Sequence, residues 1–211
     1  MASGKLWDGY VRIFHWAQAG LIPALWWTAE EGLMDWHRLC AVVLLGLWLS
    51  RLLWGLVGSD SARFGQFVRG PKAVLAYLRS GVAPAPGHNP AGGYMVIALL
   101  LVVGVQLATG LFLEDETYSG NDGPLNGWVS GATASLLGQI HEINFNILLG
   151  LIGLHLAAVV VYTMRGTRLV PRMITGGKAH GVKIRNGLWP LLLALALIGV
   201  MLWGWEISWP G

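Results

Sequence analysis

Five apolar stretches of about twenty residues, almost free of charge, limit what this chain can fold into. A helix that crosses a bilayer needs roughly 17–25 such residues. Residues 11–29, 36–57, 94–113, 137–164 and 188–205 meet that requirement. Backbone inside hydrocarbon must satisfy its own hydrogen bonds, so each run is expected to be a helix. Charged residues make up 12% of the 211-residue chain, about half the share found in soluble domains. The expected fold class is therefore all-α and integral to a membrane, a four-helix bundle with an additional fifth C-terminal transmembrane helix. Residues 1–175 would form the bundle domain, and residues 176–211 a polar loop plus the extra helix.

Lys and Arg set the orientation, because they accumulate on the cytoplasmic side. With the N-terminus inside, the inner segments hold Lys5, Arg12, Arg63, Arg69, Lys72, Arg79, Arg165, Arg168, Arg172, Lys178, Lys183 and Arg185. Arg38 stands nearly alone outside, among Glu30, Glu31, Asp35, Glu114, Asp115, Glu116, Asp122 and Glu142. A cytoplasmic N-terminus and, with five spans, an outer C-terminus follow. Trp26, Trp27, Trp36, Trp128, Trp203, Trp205 and Trp209 would then form an outer aromatic belt. The opening MASGKLWDGYVRIFHW has no apolar core followed by a small-residue cleavage site, so it reads as mature sequence entering a helix. Cys40 is the single cysteine, which excludes an internal disulfide, and there is no C-x-x-C-H for covalent haem attachment.

Four of the six histidines fall in the expected spans: His15, His37, His141 and His155. Ionisable side chains inside a membrane point to function, although one histidine near a helix end is often merely interfacial. The spacing says more. His141 and His155 are fourteen residues apart on one helix. At 3.6 residues per turn they leave the same face, about 21 Å apart along the axis. One metal ion cannot bridge that gap, since its ligands sit about 2 Å away. Two separate cofactors at two depths suit it. By depth, His37 pairs with His141 at the outer level and His15 with His155 at the inner level. Two bis-histidine sites are the arrangement expected for b-type haems in a helical bundle.

Other residues join this reading with alternatives beside them. Gly46, Gly150 and Gly153 fall between the ligand levels and would let a porphyrin approach, or would serve ordinary helix packing. Arg51, fourteen residues beyond His37, suits a propionate of the inner haem, or is a snorkelled interfacial arginine. Arg38 would serve the outer haem in the same way. His88 and His180 read as solvated loop histidines, with His88 also placed to meet a propionate or a quinone head group. Asn89-Pro90 reads as a helix start.

An ordered set of motifs now carries a resemblance. RIFHW opens the first span, WHRLC the second, and PGHNPAGG precedes the third. TGLF ends the third, GPLNGWVS follows in the outer loop, and the His141/His155 helix comes next. Over about residues 8–175 the chain resembles the bacterial cytochrome b561 group, which is related to the b-type cytochrome subunit of nickel–iron hydrogenases. The resemblance implies a four-helix bundle holding two b haems (heme b) that moves electrons between the quinone pool and a redox partner. His15, His37, His141 and His155 match the positions of that family's haem ligands. The fifth helix departs from the four-helix pattern, either as an addition or as a surface for a partner subunit.

The leading expectation is a transmembrane electron conduit in a bacterial inner membrane. Its partners would be lipid, quinone or quinol, and a c-type cytochrome or hydrogenase-like subunit, with no nucleic acid. Ligation by two histidines leaves no open iron position, which favours electron transfer over oxygen binding. An enzymatic alternative is a quinone-linked oxidoreductase acting on a small substrate such as superoxide. A third reading uses the histidines as ion ligands in a transporter, but no Asp or Glu lies inside the membrane to form a relay, Glu142 counting with the outer side. The acidic run Glu114, Asp115, Glu116 would either dock a basic partner or simply be solvated.

Overall fold

The computed structural model describes residues 4–80, 89–114 and 122–205. His88, Asp115, Glu116 and Trp209 lie outside them. Within the described residues the chain is helical apart from one two-residue strand pair. In chain order the helices are α1 (Gly9–Glu30), α2 (Met34–Val57), α3 (Phe64–Phe67), α4 (Pro71–Ser80), α5 (Pro90–Phe112), α6 (Gly131–Met164), α7 (Leu169–Thr175) and α8 (Leu188–Gly204). A helix covers each of the five expected apolar stretches, with ends displaced by a few residues. Helices α2, α5 and α6 are long and apolar enough to cross a membrane. Helix α1 has 22 residues but carries Arg12, His15, Gln18 and Glu30, and α8 is apolar with 17. The short helices α3, α4 and α7 were not expected; they lie in polar segments where no long apolar run announces them.

The contacts divide the chain into two compact units, Met1–Val96 with Ala158–Gly211, and Ile97–Ala157. In the first, Asp8 starts α1 by accepting the Val11 N–H at 2.7 Å. Gly32, at φ +66°, ends it: Leu33 N–H reaches back to the Thr28 carbonyl at 2.8 Å, a left-handed turn that glycine makes without steric cost. The short link brings α2 back alongside α1. Helix α2 buries residues around most of its girth, among them Leu39, Val42, Leu44, Leu47 and Trp54, because α1 covers one side and α8 another.

The fifth helix is thus part of the fold. A Cβ on Gly46 would lie 2.5 Å from Ile198 Cγ1 and 3.1 Å from the Ala194 carbonyl oxygen, so glycine permits the α2–α8 approach. Trp189 meets Trp54 edge to face at 5.4 Å. This corrects the porphyrin reading of Gly46. It stands nine residues from His37, two and a half turns, and therefore on the opposite side of α2. The loop before α8 is stitched down at several points. Strand β1 (Gly4–Lys5) pairs antiparallel with β2 (Lys178–Ala179). Lys183 N–H donates to Asp60 Oδ2 at 3.0 Å and Arg185 N–H to Ser59 Oγ at 2.9 Å.

In the second unit Val103, Leu107, Ala134 and Leu148 are buried, and α5 lies beside α6. Between them Asn144 Nδ2 donates to Gln106 Oε1 at 2.6 Å and to the Val102 carbonyl at 3.0 Å. Such polar ties hold helices together where lipid gives no hydrophobic drive. Helix α5 ends where Asn126 Nδ2 donates to the Leu113 carbonyl at 3.1 Å, which gives GPLNGW a structural task. Much of α6 faces outward: Ile143, Ile147, Leu154, Leu156 and Val160 are exposed, as lipid-facing side chains are.

Candidate haem-ligating histidines and the buried arginine

His15 lies in the second turn of α1, His37 in the first turn of α2, and His141 and His155 on α6; all four are half-buried. Helix α6 runs unbroken through both of its histidines, so the fourteen-residue spacing keeps them on one face.

Two of the imidazoles are held by a repeated local device. His37 Nδ1 lies 2.9 Å from the Leu25 carbonyl oxygen and 3.5 Å from Thr28 Oγ1. His141 Nδ1 lies 3.0 Å from Thr109 Oγ1. A carbonyl only accepts, so His37 Nδ1 carries the proton. The Thr109 hydroxyl directs its own proton to the Val105 carbonyl at 2.8 Å, with the Gln106 carbonyl at 3.1 Å, so it too accepts from the ring. With the rings neutral, this arrangement would leave the lone pair on Nε2, a nitrogen from which imidazole ligates iron. Gly110 adds room, because a Cβ there would meet His141 Cε1 at 3.1 Å.

Arg51 is buried within the first unit, with 3% of its surface exposed, which removes the snorkelled alternative. Its Nη2 donates to the Ala62 carbonyl at 3.3 Å, and its guanidinium lies over the Phe64 ring at 5.2 Å. Nη1 is buried with no hydrogen-bond partner in the structure. Asp8 and Tyr10 are the ionisable groups acting on it electrostatically. Tyr10 Oη and Ser50 Oγ are 2.5 Å apart. Arg38 sits 3.6 Å from Asp35 on the same helix. His180 is exposed, as a loop histidine would be.

Composition and spacing did not single out Asp8, Tyr10, Ser50, Thr28 or Thr109. The signal available was Thr109-Gly110 inside TGLF, a polar and a small residue ending an apolar helix.

The helices and these side chains define a helical membrane protein with half-buried imidazoles on α1, α2 and α6. Imidazoles held at Nδ1, with a buried guanidinium whose Nη1 has a donor to spare for a carboxylate, fit a haem and its propionates. The family profile of prokaryotic cytochrome b561 matches residues 6–176, and the chain belongs to that family. It is accordingly a membrane b-type cytochrome, with b-type haem as its cofactor and electron transfer as its work. That assignment displaces the ion-transporter reading. Helix α8 lies beyond the matched region. No curated protein and no solved structure matches the chain.

Proposed function

We propose that this protein is a dihaem b-type cytochrome of a bacterial inner membrane that passes electrons between the quinone pool and a redox partner. Helices α1, α2, α5 and α6 form the haem bundle, and α8 is a fifth span. The N-terminus is cytoplasmic. His37 and His141 hold the outer haem, and His15 and His155 the inner one.

The observation that carries this reading is the unbroken helix α6, which presents His141 and His155 on one face about 21 Å apart. The engaged Nδ1 atoms of His37 and His141 support it, because a hydrogen bond at one ring nitrogen fixes which nitrogen ligates. The haems supply reversible one-electron exchange. His15, His37, His141 and His155 would hold them, and ligation by two imidazoles each would favour electron transfer over oxygen binding. Arg51 Nη1 is offered to an inner propionate, since guanidinium and carboxylate pair well. Arg38 takes the corresponding part at the outer level.

Charge steering of superoxide to the outer side is not favoured, because Arg38 already neighbours Asp35. Electron transfer to a protein is the better reading, since the acidic run that begins at Glu114 is complementary in charge to a basic c-type cytochrome. The test is haem content with a redox titration of the purified chain. Two haems per chain, resolved as two one-electron b-type transitions, are expected; a single transition with one haem per chain would overturn the dihaem reading.

A further inference from the structure

Thr28 and Thr109 occupy equivalent places on two different helices, although nothing in their surroundings in sequence is alike. Each is buried. Each folds its hydroxyl back on its own helix, Thr28 to the Ala24 carbonyl at 2.8 Å and Thr109 to the Val105 carbonyl at 2.8 Å. Each then turns its remaining oxygen lone pairs toward the Nδ1 of a histidine, at 3.5 Å for His37 and 3.0 Å for His141. For His37 the Leu25 carbonyl, at 2.9 Å, takes the main share. For His141 the hydroxyl oxygen stands in for such a carbonyl.

We infer that Thr109 is a positioning residue that sets the tautomer, the ring plane and the donor strength of His141, and through them the potential of the haem that His141 ligates. This rests on the dihaem reading above. The physical chain is short. The helix carbonyl commits the hydroxyl proton, so the oxygen can only accept. Accepting from Nδ1–H fixes the lone pair on Nε2 and gives the ring partial imidazolate character. A more basic imidazole favours ferric over ferrous iron and so lowers the potential. Gly110 belongs to the same device: a methyl there would press on the ring edge at 3.1 Å from Cε1. Thr109 and Gly110 together explain why TGLF closes helix α5 with a polar and a small residue.

The experiment compares the full-length chain with Thr109→Val, Thr109→Ser and Gly110→Ala, purified in detergent. It reads haem content, both midpoint potentials, and the low-spin ferric signals. Thr109→Val should raise one midpoint and shift one ferric signal while leaving the other haem unchanged. Thr109→Ser should restore both. Gly110→Ala should shift the same ferric signal by tilting the ring. If Thr109→Val instead sheds one haem, retention of that haem by Thr109→Ser supports the inference. Unchanged midpoints and signals in a fully loaded Thr109→Val chain would overturn it, as would a Thr109→Ser chain that behaves like Thr109→Val. The ring nitrogens are also read directly, by 15N shifts of labelled His141. A hydrogen-bonded Nδ1–H is expected in the parent and an Nδ1–H shifted toward its free value in Thr109→Val; the same Nδ1 shift in both chains would sink the inference. Haem count in the parent tests the dihaem reading, and the differences between variants test Thr109.

Discussion

Trp54 donates its indole N–H to the Asp8 carboxylate at 3.0 Å, and both side chains are buried. The same carboxylate caps α1 through the Val11 N–H and acts electrostatically on buried Arg51. Asp8 therefore ties the start of α1 to the end of α2. Asp8→Ala would lose the cap and leave the buried indole N–H unsatisfied. A loss of about 2–4 kcal/mol in unfolding free energy is expected, from the lost cap and the unsatisfied buried donor. Asp8→Asn, which keeps the cap, should lose less. Denaturant unfolding in mild detergent measures both, and an Asp8→Ala chain as stable as the parent would show that the network contributes little.

The proposed histidine pairing makes a prediction about which losses coincide. His37→Ala and His141→Ala should each remove one haem, and the same one, so the double variant should be no poorer than either single. Combining His37→Ala with His15→Ala should remove both. Haem content and the surviving midpoint in each variant decide it; if His37→Ala and His141→Ala left haems of different potential, the pairing would be wrong.

Gly46 lets α8 close on α2. Gly46→Leu would drive a side chain into Ile198 and the Ala194 backbone, which lie 2.5 and 3.1 Å from the Cβ position. Overpacking of this kind costs about 1–3 kcal/mol. The thermal midpoint should fall, and Ile198→Ala should partly restore it. No change in the midpoint would mean that α8 is readily displaced from this seat.

Tyr77, on α4 outside the spans, has its hydroxyl pushed up to about 12 from 10.0, first by burial and then by its hydrogen bond with the Tyr162 hydroxyl. Asn89 Nδ2 donates to the Tyr162 oxygen at 2.9 Å, adding to the cluster. Because the folded value is the higher one, the unfolded chain loses this proton first. The contribution is complete below pH 10 and disappears as pH rises through about 12. The parent should lose stability over that window faster than Tyr77→Phe. Parallel melting curves that track each other to pH 12 would contradict the assignment.

Much of the architecture was readable from the chain. Apolar runs of spanning length are local features, so the five long helices were legible to within a few residues, as was the Asn89 start of α5, where Asn89 Oδ1 accepts the Gly92 N–H at 2.7 Å. The short helices were not, since α3, α4 and α7 depend on neighbours more than on composition. Arg51 was legible as a residue that needs a partner, but whether it snorkels or is buried turns on Phe64 and the Ala62 carbonyl, which fold back over it.

The sequence by itself determined the membrane character, the fourteen-residue histidine spacing on one helix, and the motifs that place the chain in its family. Each is written in residues close enough to share one helix or one motif. Only the tertiary structure decided that α8 belongs to the fold through Gly46, that Asp8 and Tyr10 gather near Arg51, and that Thr109 holds His141. These contacts join residues 32 to 152 positions apart, for which helical periodicity carries no information. Side chains on one helix are ordered by the 3.6-residue turn, while side chains on different helices meet only where packing and hydrogen bonding bring the helices together.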